Sequence, residues 1–526
     1  MKRCPECCRD YFDDTLLYCL DDGSVLLEGP ALGWTDEPAT AFMAADAGSE
    51  QRTQIFATPE RSDERGFDSI AVLPFVNVSP DPENEYFCDG LAEEILNALA
   101  HVEKLKVAAR TSAFSFKGRN ANVSEIASAL NVRTVLEGSV RRSHDRLRIT
   151  AQLINAAEGH QLWSERYDRE MKDIFDVQDE IALAVVNALK VKLLGDERSA
   201  ILKRNTRSAE AYEFYLRGLS HFNRWTPLDF EKAIENFGRA IAIDPAFASA
   251  YAALADAYVE QLFFSFSATD AKPKAREFAS RALEIDDALA EAHNSQALIK
   301  MYFDWDYASA EAEFKRAIAL NPGSASVHMW FGWYLGIMAR FDEALKELRL
   351  ARELDPLAPP NINAIGVVLH WAGQTDLAIE QFKDVLELHP GYPICLSFLA
   401  EAYAQKGDLE LAVETIEKMP AAAMDPQALA VAGYLYALSG DRGKAENILN
   451  QFAEMSSQGY VPALNFAQIY AGLGDHERAL DSLKMACEER AIWIPFLKVD
   501  HKFQTLRSDP RFTDLLRKAG FVVKAA

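Results

Sequence analysis

The sequence has no long apolar run, few cysteines and no surplus of positive charge, and each shortage removes a class of protein. Its longest nearly unbroken apolar stretch, Ala428 to Leu438, is 11 residues, against the roughly 20 that a membrane-spanning helix needs. Seven cysteines in 526 residues are too sparse for a disulfide framework. Lys and Arg number 55 against 79 Asp and Glu, a formal charge of −24, which argues against general attraction to nucleic acid or anionic membrane. The opening MKRCPECC carries two basic residues and no apolar run, so no secretory leader is expected and the cytoplasm is the expected compartment. Motifs for common chemistries are also missing: G-x-x-x-x-G-K-S/T, G-x-G-x-x-G after a strand, G-x-S-x-G and H-E-x-x-H. The ten histidines are scattered singly. Glu93-Glu94 and Asp21-Asp22 are paired only in sequence, where neighbours on a helix do not face each other. No residue set recommends an enzyme.

What is present begins with a cysteine cluster, Cys4, Cys7, Cys8 and Cys19. Cys4 and Cys7 form a C-x2-C knuckle, and Cys19 opens a second whose fourth position falls on Asp22. A closed structural zinc site takes four ligands in a tetrahedron, so Cys4, Cys7, Cys19 and Asp22 are the expected ligands of one Zn²⁺. Cys8 competes for the fourth place, and a metal-free hairpin held by Tyr11, Leu17 and Leu26 is the alternative. With CPEC, YFDD and YCLDDG, residues 1–27 resemble the short zinc ribbons that precede some bacterial signalling kinases and repeat proteins. So small a segment has too little core to fold alone, which makes metal the expected cause if it folds. Residues 28–66 show no sustained period and read as a flexible acidic tether.

Residues 67–196 alternate strand and helix signals. Strand composition runs from Ser69 to Phe75 and returns at Leu105–Ala109. Helical periods cover Gly90–Leu99 and Ser124–Leu130. Three alternating strands follow at Thr134–Val140, Leu147–Ile154 and Gln161–Tyr167, closed by a helix from Ile174 to Leu193. The phrases SIAVLPFVNVSPDPENEYFCDGLAEEILNAL, VLEGSVRR, RITAQLINAAEGHQLWSERYDR and DIFDVQDEIA closely resemble the TolB amino-terminal-like domain that precedes tetratricopeptide repeats in many bacterial regulators. That resemblance implies a mixed α/β domain without known catalytic residues, found beside cyclase, kinase or winged-helix effectors; none of these is read in the present sequence. The arginines 133, 141, 142, 146 and 148 are expected on a solvated strand face. Trp163 and Phe175 are expected in the core rather than stacked on a ligand.

Residues 204–490 are helical and self-similar. Small residues followed four positions later by a packing residue recur at Ala233, Ala275, Ala310, Ala344, Ala378, Ala412, Ala445 and Ala479, with separations of 42, 35, 34, 34, 34, 33 and 34. A period of 34 marks the tetratricopeptide repeat, a helix-turn-helix unit that buries its apolar face by stacking. In the last five units a small residue stands 12 positions earlier, where two helices must approach: Gly332, Gly366, Ala400, Gly433 and Ala467. Gly373, Gly407, Gly440 and Gly474 are expected to end first helices. The long first spacing places an insertion after Tyr258, and its Phe263, Phe264 and Phe266 are expected to pack on the next repeat. Residues 491–526 read as C-terminal capping helices with a polar outer face.

The fold class is therefore multidomain: a small zinc-ribbon-like segment, a mixed α/β TolB-like domain and an all-α solenoid of eight repeats. Function is expected to reside in surface. Repeats of this kind line a concave groove with their first helices, where peptides bind through a few anchors. The groove positions are Met329, Trp333, Asn363, His370, Ser397, Glu401, Gln405, Tyr434 and Gln468. The set is polar and aromatic, suited to a protein or peptide partner, and lacks the lysines and paired asparagines that clamp a terminal carboxylate. The expectation is a non-enzymatic adaptor; the alternative is a ligand-sensing or transcription-linked regulator using the α/β module or the ribbon.

Overall fold

The computed structural model describes Lys2–Arg3, Asp10–Tyr11, Leu27–Glu28 and residues 68–523, the latter except 80, 82–83, 103, 120, 192, 194–205, 224–226, 264–270, 421–422 and 459. The expected zinc ligands Cys4, Cys7, Cys19 and Asp22, with Cys8 and the body of the tether, lie outside the described residues. Two units are present, residues 1–65 and 66–526. The first shows three two-residue strands, β1 (Lys2–Arg3), β2 (Asp10–Tyr11) and β3 (Leu27–Glu28), with β1 antiparallel to both others.

The second unit opens with a sheet. Its strands are β4 (Asp68–Val72), β5 (Val76–Asn77), β6 (Leu105–Val107), β7 (Thr134–Ser143), β8 (Arg146–Asn155) and β9 (Gln161–Glu170). The order is β6-β4-β7-β8-β9, with β5 pairing β7 beside this path. β4 lies parallel to both β6 and β7, while β7, β8 and β9 form an antiparallel meander. A strand flanked by parallel neighbours is covered on both faces, and β4 obeys: Ile70, Ala71 and Val72 are fully buried. Ile70 and Val72 join the core with α1 (Glu85–Ala100) and α4 (Ile174–Ala188); Ala71 joins the core with α3 (Val123–Leu130). The meander alternates instead. Leu147, Ile149, Ala151 and Leu153 point into the core, while Arg146 and Arg148 are exposed. The short helix α2 (Arg110–Phe114) was not legible as a period, because five residues complete barely more than one turn.

Eight helix pairs follow among the described residues. The first helices are Ala209–Phe222, Ala248–Gln261, Ala290–Ile299, Ala325–Ile337, Pro359–Trp371, Pro393–Lys406, Pro426–Leu438 and Ala463–Gly472. Their partners are Pro227–Ile243, Ala271–Ile285, Tyr307–Leu320, Phe341–Leu354, Thr375–Leu388, Leu409–Glu417, Arg442–Gln458 and His476–Glu488. Gly373, Gly407, Gly440 and Gly474 take positive φ at the ends of first helices, where a side chain would be strained. The small residues sit at close crossings. A Cβ on Gly366 would stand 2.6 Å from Phe382 Cε1, and one on Gly332 would stand 2.6 Å from Leu348 Cγ. In the first repeat Gly218 does this against Phe237, three positions earlier than the later units place it. Gly366→Ala is expected to cost about 1–3 kcal/mol by overpacking; a thermal melt unchanged from the parent would show that the helices can separate freely.

The α/β module is fastened along the array. Gly90 of α1 lies against Leu216, with no room for a Cβ. Glu213 of the first repeat meets the Tyr86 hydroxyl and accepts from Arg142 Nη2 at 3.3 Å. Farther on, Ala109 N donates to Leu354 O at 2.8 Å, Ser112 N to Asp355 Oδ1 at 2.8 Å and Leu357 N to Ser112 Oγ at 2.6 Å. Arg142 therefore serves the docking surface, whereas the other four arginines of its stretch are exposed. Phe175 packs on Tyr212 with ring centroids 5.1 Å apart.

Candidate partner-binding groove and its internal cap

The array curves far enough to meet itself. Arg490, just past the eighth repeat, donates through Nη1 to Phe303 O of the third at 2.6 Å, and Lys272 of the second donates to Arg490 O at 2.8 Å. The following segment then turns into the inner surface of the array. It forms 3-10 turns at Ile494–Lys498 and His501–Leu506, then a helix at Pro510–Lys518. Only the last matches the expectation of capping helices. The reason lies in composition: Ile494, Phe496, Leu497, Phe503 and Leu506 are at most 5% exposed, and residues this apolar seek an interior.

Phe496 is the hub. Its ring centroid lies 5.1 Å from that of Trp493, 5.6 Å from Trp371, 5.9 Å from Trp333 and 6.2 Å from Tyr302. Phe263 of the insertion packs here too, 5.4 Å from both Tyr302 and Trp493; Phe264 and Phe266 lie outside the described residues. Lys498 Nζ donates to Met338 O at 2.8 Å, and His501 Nε2 reaches His370 O at 2.9 Å. Lys502 enters deepest. Its ammonium lies 2.8 Å from Glu401 Oε2 and 3.3 Å from Asp500 Oδ1. Burial pulls this lysine down, but Asp500 and Glu401 outweigh it and hold it above its ordinary value, so it stays charged.

Of the residues expected to face a partner, Trp333, His370 and Glu401 thus meet the chain's own C-terminal segment, and Ser397 and Gln468 line a cavity with it. His370, Asn363, Glu401 and Gln468 are buried, at 1%, 3%, 8% and 1% exposure. Burial, reinforced by His501 and Lys502, holds His370 well below the usual imidazole range, so it is neutral. Met329, Trp333, Ser397 and Tyr434 are half-buried, and Gln405 is exposed. Sequence reasoning placed these on one inner surface and missed Trp493, Phe496, His501 and Lys502, which face part of it. The signal was the aromatic density of WIPFLKVDHKF, more than a cap with a polar outer face needs.

A second concavity belongs to the α/β module. The chain leaves β4 for α1 and β6 on one side, then crosses to β7 on the other, which makes the end of β4 a topological switch point. A cleft of about 860 Å³ lies there, lined by Leu73–Asn77, Lys117–Arg119 and the polar face of β7 and β8. On its sheet side the paired Ser139 Oγ and Thr150 Oγ1 are 2.7 Å apart, and Gln152 Nε2 donates to Glu137 Oε1 at 2.5 Å.

Glu94 of α1 faces the repeats, where burial, Glu93 and Glu291 push it up to about 8. The unfolded chain ionises this carboxyl near 4.5 while the folded chain resists until about 8. Stability is therefore whole below pH 4.5, falls as pH rises through this window, and levels off above it. Glu94→Gln is expected to add about 2 kcal/mol at pH 8, allowing for residual solvation, and almost nothing at pH 4. Melting curves at the two pH values check this; an equal gain at both would assign the effect to packing.

Two family models identify the class of the array: a tetratricopeptide repeat model matches residues 371–433 and a TPR repeat model matches 229–261. The chain therefore carries tetratricopeptide repeats, with a small mixed sheet region ahead of them. Among curated proteins it is 37% identical over 275 residues to "Putative adenylate cyclase 3" of Rhizobium meliloti, covering 52% of this chain and 45% of that protein. It is 29% identical over 208 residues to "Transcriptional regulator HilA" of Salmonella typhimurium, covering 39% of this chain and 37% of that protein. The chain thus spans less than half the length of either relative. Among solved structures, Pseudomonas aeruginosa pilF aligns with a TM-score of 0.32 and 22% identity, covering 40% of this chain and 92% of that one. No helix among the described residues is long and apolar enough to cross a membrane.

Proposed function

We propose that the chain is a non-enzymatic, cytoplasmic regulatory adaptor that recruits a protein partner through its tetratricopeptide repeats. In this reading the TolB-like α/β module braces the array, and a zinc-held ribbon stands ahead of it on a tether. The observation that carries the proposal is the repeat array itself, since stacked helical repeats present an extended surface suited to protein partners. The test is affinity capture with the full chain beside a Ser397→Ala, Gln405→Ala double variant. These positions are half-buried and exposed, so the variant should fold. A partner held by the parent and lost by the variant supports the groove as the working surface; equal recovery overturns that assignment. For the ribbon, one equivalent of zinc per chain is expected by elemental analysis, lost on Cys4→Ser. A zinc-free protein with a folded amino terminus would reject it.

A second reading, ligand sensing by the α/β module, is favoured by the cleft at the end of β4. Its volume falls within the range of small-molecule sites, and two relatives are named a putative adenylate cyclase and a transcriptional regulator. A ligand there would raise the melting temperature of the parent, and Thr150→Val with Gln152→Leu would remove the rise. No rise with any of a panel of nucleotides, sugars and carboxylic acids would count against this reading.

A further inference from the structure

The cap leaves a cavity of about 130 Å³ between the first helices of repeats five to eight and its own residues. That is roughly the volume that admits one ring-sized group. Beside aliphatic side chains such as Ile394, Val431 and Leu464, two further kinds of chemistry line it. Trp371, Phe398, Trp493 and Phe496 supply aromatic walls. Glu401, Asp425 and Asp500 supply three carboxylates against the single cation Lys502. The contacts of Lys502 fall on Oε2 of Glu401 and Oδ1 of Asp500, which leaves a second oxygen on each.

Beyond the carboxylates, the lining holds polar atoms that the protein does not satisfy. Gln468 is 1% exposed, and its Oε1 has no hydrogen-bond partner among the described residues; Gln427 Oε1 is in the same state. A buried acceptor without a donor costs about 1–3 kcal/mol, which an incoming N–H would recover. Among the described residues, the indole N–H of Trp493 is the fully buried donor of the lining that has no partner. Three carboxyl groups and two unpaired amide oxygens thus stand against one lysine, beside aromatic faces. A neutral apolar guest would leave both amide oxygens unpaired, and an anion would meet three carboxylates. An ammonium or guanidinium offers only donors and gains from the ring faces.

We infer that this cavity is a recognition pocket for an organic cation, an alkylammonium or guanidinium group, presented as a lysine or arginine side chain of the recruited partner. The cation chemistry stands on the cavity; its source in a partner protein rests on the adaptor reading. The cap stays in place, because its Trp493, Phe496, Asp500 and Lys502 form one wall of the pocket.

The test uses the full chain and tryptophan fluorescence, since Trp371 and Trp493 line the cavity. The probes are n-butylammonium and n-butylguanidinium, beside neutral n-butanol and anionic butyrate. Saturable quenching is expected with the two cations and at least about tenfold weaker binding of the other two. Asp425 caps the helix Pro426–Leu438 by accepting from Ala428 N, a bond that asparagine preserves. Asp425→Asn should therefore keep the melting curve and weaken the cations about tenfold. Butanol binding as well as butylammonium, no saturable response to either cation, or an unchanged affinity in folded Asp425→Asn would each overturn the pocket. Acetyl-Gly-Lys-Gly-amide binding more tightly than butylammonium supports a peptide source; the reverse order overturns that source in favour of a free amine. A captured partner that saturating butylammonium fails to displace would also overturn it, while leaving the adaptor reading intact. Cation binding without any captured partner would instead count against the adaptor reading alone.

Discussion

Glu401→Ala is expected to destabilise the protein by about 3 kcal/mol, because it strands the Lys502 ammonium in the interior with Asp500 alone. Removing one member of a buried ion pair typically costs about 3–5 kcal/mol, since the remaining charge loses its partner without regaining water. Asp500, at 3.3 Å, keeps the expected loss at the lower end. Lys502→Met should be comparably harmful, leaving two carboxylates facing apolar walls. The Glu401→Leu, Lys502→Met double variant should recover most of the loss, as apolar replacements of buried pairs often do. Melting temperatures of the parent, Glu401→Leu, Lys502→Met and the double variant form a double-mutant cycle. Were the double variant as unstable as the sum of the singles, the pair would contribute through shape and not charge. Hydrogen exchange should place the damage in residues 491–506, with the sheet of the α/β module still protected.

Phe496→Ala is expected to cost about 3–5 kcal/mol, the range for deleting a large buried aromatic ring. Four aromatic side chains surround this ring, and none can refill the space without abandoning its own contacts. The tryptophan emission should shift to the red as Trp333, Trp371 and Trp493 gain water. A loss below 1 kcal/mol with unshifted emission would mean that the cap is held by its ion pairs and hydrogen bonds instead.

The array was legible because its determinants are local and recur. A glycine where helices cross, a packing residue on the facing helix and a positive-φ glycine at a helix end repeat at a fixed interval, so each unit confirms the last. The sheet was legible for a related reason: alternation along β8 records which face meets the core. The docking of the α/β module was not. Ser112 with Asp355, and Gly90 with Leu216, are pairings between distant segments that no period encodes. The inner surface was half legible. Counting along first helices put Glu401, His370 and Gln468 on one wall, but counting cannot say what stands opposite. Lys502 lies 101 positions from Glu401, and no spacing rule links them. Sequence reasoning also read residues 491–526 as capping helices with a polar outer face, and did not weigh what the tryptophan and phenylalanines of that segment would pack against.

The contact between Arg490 and the second and third repeats changes what kind of polymer this array is. An open solenoid is extensible: a unit can be added or removed, and each end can fray by itself, because every repeat answers only to its neighbours. Here the ends are tied across 187 and 218 positions of sequence. Removing one unit would swing the eighth repeat away from the third, so the number of units is fixed by geometry much as the strand number of a closed barrel is. Stepwise melting from a free end gives way to a cooperative transition, and the closing contacts, being distant in sequence, are slow to form.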